Sequence, residues 1–364
     1  MKKKRFLGFI LATGLVLAVT GCRYDYTYDL SDASAAKVSQ AVYYTEDELK
    51  QMGSDTSKYE KVVLEDGNTY YSESEVKTQT YKDLNDSLDI GVMKSNLVYI
   101  PCSKINSASN SESPSVPDMY NAMKINMTFN LSEDVTETNG EICEDKHSVY
   151  YDYKGKTEEG YLYIYTASGK SELENDKTAP VIGGIKKNKY INAQGLRRLR
   201  VTDNLALKSV TCNGYDMSSS SYTDYETKTR VRYWSLKDSK QYKLGKNTVV
   251  ATDLNGNSTT YTFRYDSEPP VVKKLKSYQT KRAGKKITFY VKDKTSGISK
   301  VTYSKDYNKE KKVAKKYMTK VKKGKYKGYY KVSLKFKNPC YLRFNVYDKA
   351  GNYNQIYGVN VVNY

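Results

Sequence analysis

Histidine and tryptophan occur once each in 364 residues, proline and phenylalanine seven times each, and cysteine five times. The scarcity of histidine removes most hydrolytic and metal chemistry. A nucleophile needs a base within hydrogen-bond reach, and only His147, in "CEDKHSVYY", is on offer. Cys143 lies four residues before it, but a cysteine–histidine pair is set by tertiary folding and needs an orienting third group. His147 therefore reads as a loop residue. No G-x-S-x-G segment, phosphate-binding loop or dinucleotide fingerprint is present. Glu158-Glu159 sit together in a polar loop, whereas glycosidases set two acids across a cleft. The cysteines are isolated, with no C-x-x-C, which excludes a disulfide-dense scaffold and gives zinc no ligand set. Cys102 and Cys143 share one region and could pair; Cys212 and Cys340 fall in different regions. No catalytic residue, metal site, cofactor or small-molecule substrate is expected.

Long apolar runs are also scarce, apart from Phe6 to Val19 behind Lys2, Lys3, Lys4 and Arg5. That is a charged segment followed by an oily one, as in a secretory signal, and it is shorter than the roughly 20 residues a spanning helix needs. The run ends in Val19-Thr20-Gly21-Cys22. This resembles the lipobox of bacterial lipoproteins. The resemblance implies diacylglycerol on the Cys22 thiol, cleavage after residue 21, and anchoring on the extracytoplasmic face of a bacterial membrane. Two acyl chains anchor stably, at about 0.8 kcal/mol per buried methylene.

Tyrosine, by contrast, is abundant, at 38 residues. It suits half-exposed pleated surfaces, with a buried ring and a wet hydroxyl. Charge is abundant and uneven. Residues 23–175 carry 14 Lys+Arg against 28 Asp+Glu, residues 176–270 carry 16 against 9, and residues 271–364 carry 26 against 4. The chain runs from acidic to strongly basic, which bears on partners rather than on fold.

A repeat recurs at about ninety residues. Asp176-Lys177-Thr178-Ala179-Pro180-Val181 matches Asp266-Ser267-Glu268-Pro269-Pro270-Val271. Val201-Thr202-Asp203 matches Val291-Lys292-Asp293, and Ala251 to Asn257 matches Val346 to Asn352. "RRLRVTD" and "KKITFYVKD" alternate as half-buried strands. "NTVVATD" and "YLRFNVYD" run into Asp-x-x-Gly-Asn turns, from which "STTYTFRYD" and "YNQIYGVNVVNY" return. Short strands at this spacing predict a sandwich of two antiparallel sheets. The two copies are similar to the bacterial immunoglobulin-like superfamily, although they lack a within-domain cysteine pair and the second lacks tryptophan. The resemblance implies spacing, adhesion or ligand presentation. Asp203, Asp253, Asp293 and Asp348 could ligate calcium with help from Asn255, Asn257 or Asn352, but each turn offers one acid where calcium takes six to eight oxygens. They read as turn caps.

In residues 22–175, "RYDYTYDL", "NLVYIPC", "AMKINMTFNL", "SVYYDY" and "YLYIYTAS" read as strands, and "EKVVLEDGNTYYSESE" as a strand, a turn and a return. "TEDELKQM" carries a capping box at Thr45 and Glu48, and "YKDLNDSL" fits a second helix. "NSASNSESPSVPD" is a polar loop. The run 123–153, with Val135, Thr136, Asn139 and Gly140 leading to Val149-Tyr150-Tyr151-Asp152, resembles the LppM-like domain of bacterial lipoproteins. That implies an α+β domain with a few helices on one sheet.

The expected organisation is a signal peptide at 1–21, an LppM-like α+β domain at 22–175, and all-β Ig-like sandwiches at 176–268 and 269–364. The functional signal lies in residues 305–331. There Lys309, Lys311, Lys312, Lys315, Lys316, Lys320, Lys322, Lys323, Lys325 and Lys327 interleave with Tyr307, Tyr317, Tyr326, Tyr329 and Tyr330. Almost no acids accompany them, whereas a merely soluble face mixes signs. The pattern points to loose contact with a polyanion such as teichoic acid, an anionic glycan or anionic lipid head groups. The competing expectations are a structural envelope protein whose Ig-like pair is only a spacer, and a secreted hydrolase carrying binding modules.

Overall fold

The computed structural model describes residues 23–85, 91–101, 124–153, 160–223 and 230–363. Cys22, Cys102, Glu158-Glu159 and the polar loop at 106–118 lie outside them. The chain is mostly strand and forms two compact units. One comprises residues 1–178 with 203–208 and 253–257; the other comprises 179–202, 209–252 and 258–364.

Among the described residues of the first unit there are eleven strands: β1 (Arg23–Asp29), β2 (Ala36–Tyr44), β3 (Glu60–Val63), β4 (Thr69–Gln79), β5 (Val92–Lys94), β6 (Leu97–Pro101), β7 (Lys124–Asn130), β8 (Val135–Thr138), β9 (Glu141–Ile142), β10 (Ser148–Tyr153) and β11 (Tyr161–Thr166). They form a seven-stranded sheet, β3-β4-β2-β1-β7-β10-β9, and a four-stranded sheet, β5-β6-β11-β8. "RYDYTYD" alternates as expected: Tyr26 and Tyr28 point inward, and Tyr28 stacks on Phe129 at 4.9 Å. One core joins the inner faces, with Tyr26, Tyr28, Met127, Phe129, Val149 and Tyr151 against Val98, Ile100, Leu162 and Ile164. The single sheet implied by the LppM resemblance is thus two sheets, because "NLVYIP" and "YLYIYT" pair with each other rather than with β1. The helices are short. Glu46–Gln51 begins with the expected reciprocal cap, the Glu48 N–H donating to Thr45 Oγ1 and the Thr45 N–H to the Glu48 carboxylate at 2.7 Å. Ala167–Glu174, which follows β11 directly, was not anticipated.

Residues 176–268 supply β12 (Val181–Gly183), β13 (Tyr190–Ile191), β14 (Arg200–Thr202), β15 (Leu207–Cys212), β16 (Tyr215–Thr223), β17 (Arg230–Leu236), β18 (Gly245–Asp253) and β19 (Ser258–Tyr265). Residues 269–364 supply β20 (Val271–Lys273), β21 (Gln279–Arg282), β22 (Lys286–Lys292), β23 (Ile298–Lys305), β24 (Lys311–Lys312), β25 (Met318–Lys320), β26 (Tyr330–Lys335), β27 (Cys340–Asp348) and β28 (Tyr353–Val362). The copies share a topology. The strand after the proline pairs antiparallel with the third (β12-β14, β20-β22), and the second pairs parallel with the last (β13-β19, β21-β28). The last two strands and the fourth keep the order β19-β18-β15 and β28-β27-β23. No sheet crosses from one copy to the other. Two Ig-like sandwiches follow the N-terminal domain.

The second sandwich closes over a continuous core of Ile287, Phe289, Val291, Val301, Val332, Leu342, Phe344, Val346, Val359 and others. "KITFYVK" alternates strictly between exposed or half-buried and buried positions. The first is less regular. "RRLRVTD" is extended only from Arg200, because the preceding segment is a helix, Ala193–Leu196, whose exit turn closes with the Leu199 N–H on the Leu196 carbonyl at 2.9 Å.

Candidate functional site

The ten lysines of 309–327 are all exposed. The fold divides them. Lys311 and Lys312 form β24, an edge of the five-stranded sheet β21-β28-β27-β23-β24. Lys320 ends β25, an edge of the four-stranded sheet β20-β22-β26-β25. Between them Val313 is buried, and its N–H donates to the Val301 carbonyl at 2.8 Å, pinning the crossing from one sheet to the other. Lys322, Lys323, Lys325 and Lys327 occupy the β25–β26 turn, closed by Val321 N–H to the Tyr329 carbonyl at 2.8 Å and Gly328 N–H to the Val321 carbonyl at 2.9 Å.

The four-stranded sheet adds cations that the local reading of 305–331 missed. Period-two alternation turns Lys286, Thr288, Tyr290 and Lys292 outward from β22. Register sets Lys286 opposite Lys335, and Tyr290 between Lys273 and Lys331. None of β20, β22, β25 or β26 carries an acid. Tyrosines lie on this face among the cations. Tyr290 stacks on Tyr326 at 4.0 Å, Tyr329 meets Tyr326 edge-on at 5.8 Å, Lys274 Nζ lies 5.6 Å from the Tyr326 ring and Lys292 Nζ 5.5 Å from the Tyr329 ring. Like charges directly opposed across strands destabilise a sheet.

The acids of this domain are four, and two of them gather elsewhere. Asp293 and Asp348 join Asp266 in a cluster whose carboxylate oxygens all lie within 4.8 Å of one another; Asp176, Asp203 and Asp253 form the same cluster in the first copy. The turn-capping expectation holds for the turn acids. Asp253 takes the backbone and side-chain N–H groups of Asn257, both at 2.8 Å, and Asp348 takes the Asn352 N–H at 2.9 Å and its side-chain amide at 2.8 Å. Asp293 Oδ1 takes the N–H groups of Ser296 and Gly297 at 2.8 and 2.6 Å. The expectation of one acid per turn does not hold, because the linker acids Asp176 and Asp266 fold onto the turns. Asn257 and Asn352 each hold the linker backbone, donating to the carbonyls of Asp176 at 3.0 Å and Asp266 at 2.7 Å. The missed signal was the Asp that opens each D-x-x-x-P.

Three converging carboxylates are the oxygen donors a hard cation such as calcium takes. Without one they repel. Burial, reinforced by Asp253 and Asp176, pushes the Asp203 carboxyl up to about 6, and its Oδ2 is sealed and accepts no hydrogen bond. Burial likewise raises Asp348.

His147 and Cys143 form nothing resembling a nucleophilic site. His147 Nε2 lies 3.4 Å from Asp134 Oδ1 at the surface. Burial and the charges of Asp145 and Glu141 push the Cys143 thiol up, the wrong direction for a thiolate. Cys143, Cys212 and Cys340 are free thiols. The pairing proposed for Cys143 with Cys102, and lipidation at Cys22, fall outside the described residues. Among the described residues no helix is long and apolar enough to cross a membrane.

Residues 264–363, the second sandwich, match a sequence family described as "Domain of unknown function (DUF7743)". No curated protein matches the chain. Solved structures similar to it include the D00-D0 domain of Intimin (13% identity, 50% of this chain and 100% of that chain, TM-score 0.21). Others are the N-terminal Ig1-2 module of the Drosophila receptor protein tyrosine phosphatase DLAR (9%, 51% and 100%, 0.18) and murine CEACAM1b (11%, 46% and 91%, 0.23). At these values the likeness says nothing of ligand or partner, and the sandwich assignment rests on the strand pairing itself.

Proposed function

We propose that this protein is a non-catalytic lipoprotein of the bacterial cell surface, held by diacylglycerol on Cys22, whose second Ig-like sandwich adheres to an anionic polymer. The N-terminal two-sheet domain, which follows Cys22 directly, is its membrane-proximal part. The observation that carries the reading is the lysine face: four paired strands without an acid, with Lys273, Lys286, Lys292, Lys331 and Lys335 facing out beside the exposed lysines of 309–327. Lysines are strongly hydrated point charges suited to non-stereospecific anionic contact. The partner is therefore a repeating polyanion, with teichoic acid the example closest to such a membrane.

The test is retention of the intact lipoprotein, in detergent, on immobilised wall teichoic acid and heparin at about 50 and 200 mM salt, where several released counterions change affinity steeply. The expected result is strong retention at the lower salt, lost at the higher, and lost at both when Lys273, Lys286, Lys331 and Lys335 become Gln. Equal, salt-insensitive retention of wild type and variant would favour the spacer role instead. Intact mass of the native N-terminus checks acylation.

A further inference from the structure

The outer side of the five-stranded sheet carries a second feature, unlike the lysine face. Two positions of the repeat have left-handed backbone in both copies. In the first they hold residues that tolerate it: Asn188 (φ 58°), and Gly214 (φ 87°) in the Asn213-Gly214 hairpin turn. In the second the same positions hold Tyr278 (φ 56°) and Tyr307 (φ 62°, after Asp306 at φ 48°). The equivalence is fixed by hydrogen bonds: the Asn188 N–H donates to the Thr262 carbonyl on β19, and the Tyr278 N–H to the Tyr357 carbonyl on β28, both at 2.9 Å. A bulky aromatic in this region is strained. Here it is not repaid by burial, since Tyr278 is 82% and Tyr307 78% exposed.

The rings are instead held in place at the surface. Tyr307 stacks on Tyr341 at 4.8 Å and 16°. The turn is locked to β27 by Asp306 N–H to the Tyr341 carbonyl at 2.8 Å and Tyr341 N–H to Asp306 Oδ1 at 2.7 Å. Tyr278 lies over Gly358, where a Cβ would meet its ring at 2.8 Å. Gly358 belongs to a two-residue bulge of β28, since Leu342 pairs with Val359 but Phe344 with Ile356. Bulges re-aim side chains and gather near functional sites. Tyr278 leads into β21 over Gly358 of β28, while Tyr341 of β27 pairs with Asn360, two residues along β28, and stacks on Tyr307 beyond the end of β23; the three strand steps crossed are roughly 14 Å at the usual spacing.

We infer that Tyr278, Tyr341 and Tyr307 form a carbohydrate platform that takes a short run of hydroxyl-rich, uncharged sugar rings. An aromatic face matches the C–H side of a pyranose, and stacking there buries apolar ring surface that is otherwise exposed to water while leaving the hydroxyl wet. Charge beside the strip is mixed, with Arg343 two residues from Tyr341 on β27 and Lys311 and Lys312 in edge strand β24, so the aromatic faces and the nearby acids, not net charge, favour sugar. Asp306 and Glu310, the two acids of this domain outside the carboxylate cluster, both belong to this side: Asp306 abuts the ring pair, and Glu310 accepts from Thr302 at 3.0 Å and from Asn345. Carboxylates accept hydroxyl hydrogens and repel phosphodiesters. The platform shares the five-stranded sheet with Lys311 and Lys312 of β24, but uses none of Lys273, Lys286, Lys331 and Lys335 of the four-stranded sheet.

The test is titration of the full chain with cellohexaose and with an N-acetylglucosamine hexamer, using a dT12 oligonucleotide as the contrasting ring-bearing polyanion, followed by tyrosine resonances or fluorescence. Tyr278→Gly and Tyr307→Gly suit the backbone at these sites and fold at least as well as wild type. The expected result is saturable, salt-insensitive binding of at least one hexamer, weakened about tenfold or more by each variant and unchanged by Lys331→Gln with Lys335→Gln. Absence of saturable hexamer binding, variants that bind as wild type, or displacement of the hexamer by dT12 would overturn it.

Discussion

The two sandwiches are one fold with different surfaces. The central strand order, parallel closure and carboxylate cluster are repeated, yet residues 176–270 hold 16 cations against 9 acids while 271–364 hold 26 against 4. What recurs is what closes the sandwich: inward alternation, Asp-x-x-Gly-Asn turns and a linker acid held by asparagine. What diverges is outward-facing. The first copy spends its extra residues on the β16–β17 hairpin, paired from Met217–Leu236 to Thr223–Arg230. The second spends them on the lysine crossing between β24 and β25. Duplication has left the core under packing constraint and the faces free to specialise.

That comparison can be broken at the core first. Phe344→Ala and Phe263→Ala each remove a fully buried ring and are expected to cost about 3–5 kcal/mol by denaturant unfolding. A cost in only one copy would mean that the two cores are not equivalent.

Next is the residue ending the first short strand. Gly184 (φ 79°) and Lys274 (φ 65°) occupy equivalent left-handed positions. A Cβ on Gly184 would sit 1.6 Å from the Arg198 carbonyl oxygen. Gly184→Ala should therefore destabilise by about 2–4 kcal/mol, whereas Lys274→Gly should be neutral to slightly stabilising.

A smaller effect tests the carboxylate clusters. Asp203 is raised from 3.8 to about 6, so the folded state holds a proton that the unfolded state has released. The stability it contributes is present below about pH 4 and is lost as pH rises to about 6, the reverse of an ion-paired acid. Measured with a chelator present, wild type should lose about 1 kcal/mol across that window, solvent screening limiting the effect. Asp203→Asn should flatten the profile. A profile that Asp203→Asn leaves unchanged would show that burial does not hold this carboxyl above its ordinary range.

Much of this architecture was legible before any coordinates. The D-x-x-G-N turns, the V-x-D strands and the 45–48 capping box are local, and local chemistry set them. In the N-terminal domain β1, β7, β10 and β11 stand where their strand-like runs placed them, and β6 where its continuous apolar run did. Strand β2 was missed because "AKVSQAVYY" mixes small and polar residues, and its place depends on pairing with β1 and β4. The carboxylate clusters were half visible: the turn acids were singled out, but Asp176 and Asp266 join them only through folding. The lysine face was likewise seen as a run, when Lys273, Lys286, Lys331 and Lys335 reach it through sheet register. The tyrosine platform was recoverable by aligning the repeats, since Tyr stands where the other copy has Asn188 and Gly214.

The parallel closure has a mechanical meaning. In each sandwich a strand near the chain's entry lies alongside the strand by which it leaves, so a pull on the two ends drags these partners past each other and loads every rung at once. The first domain has two such residue pairs, Tyr190 with Arg264 and Ile191 with Tyr265; the second has four, from Gln279 with Val359 to Arg282 with Val362. Under tension, the domain bearing the lysines should be the later to rupture, keeping its grip while the one behind it extends.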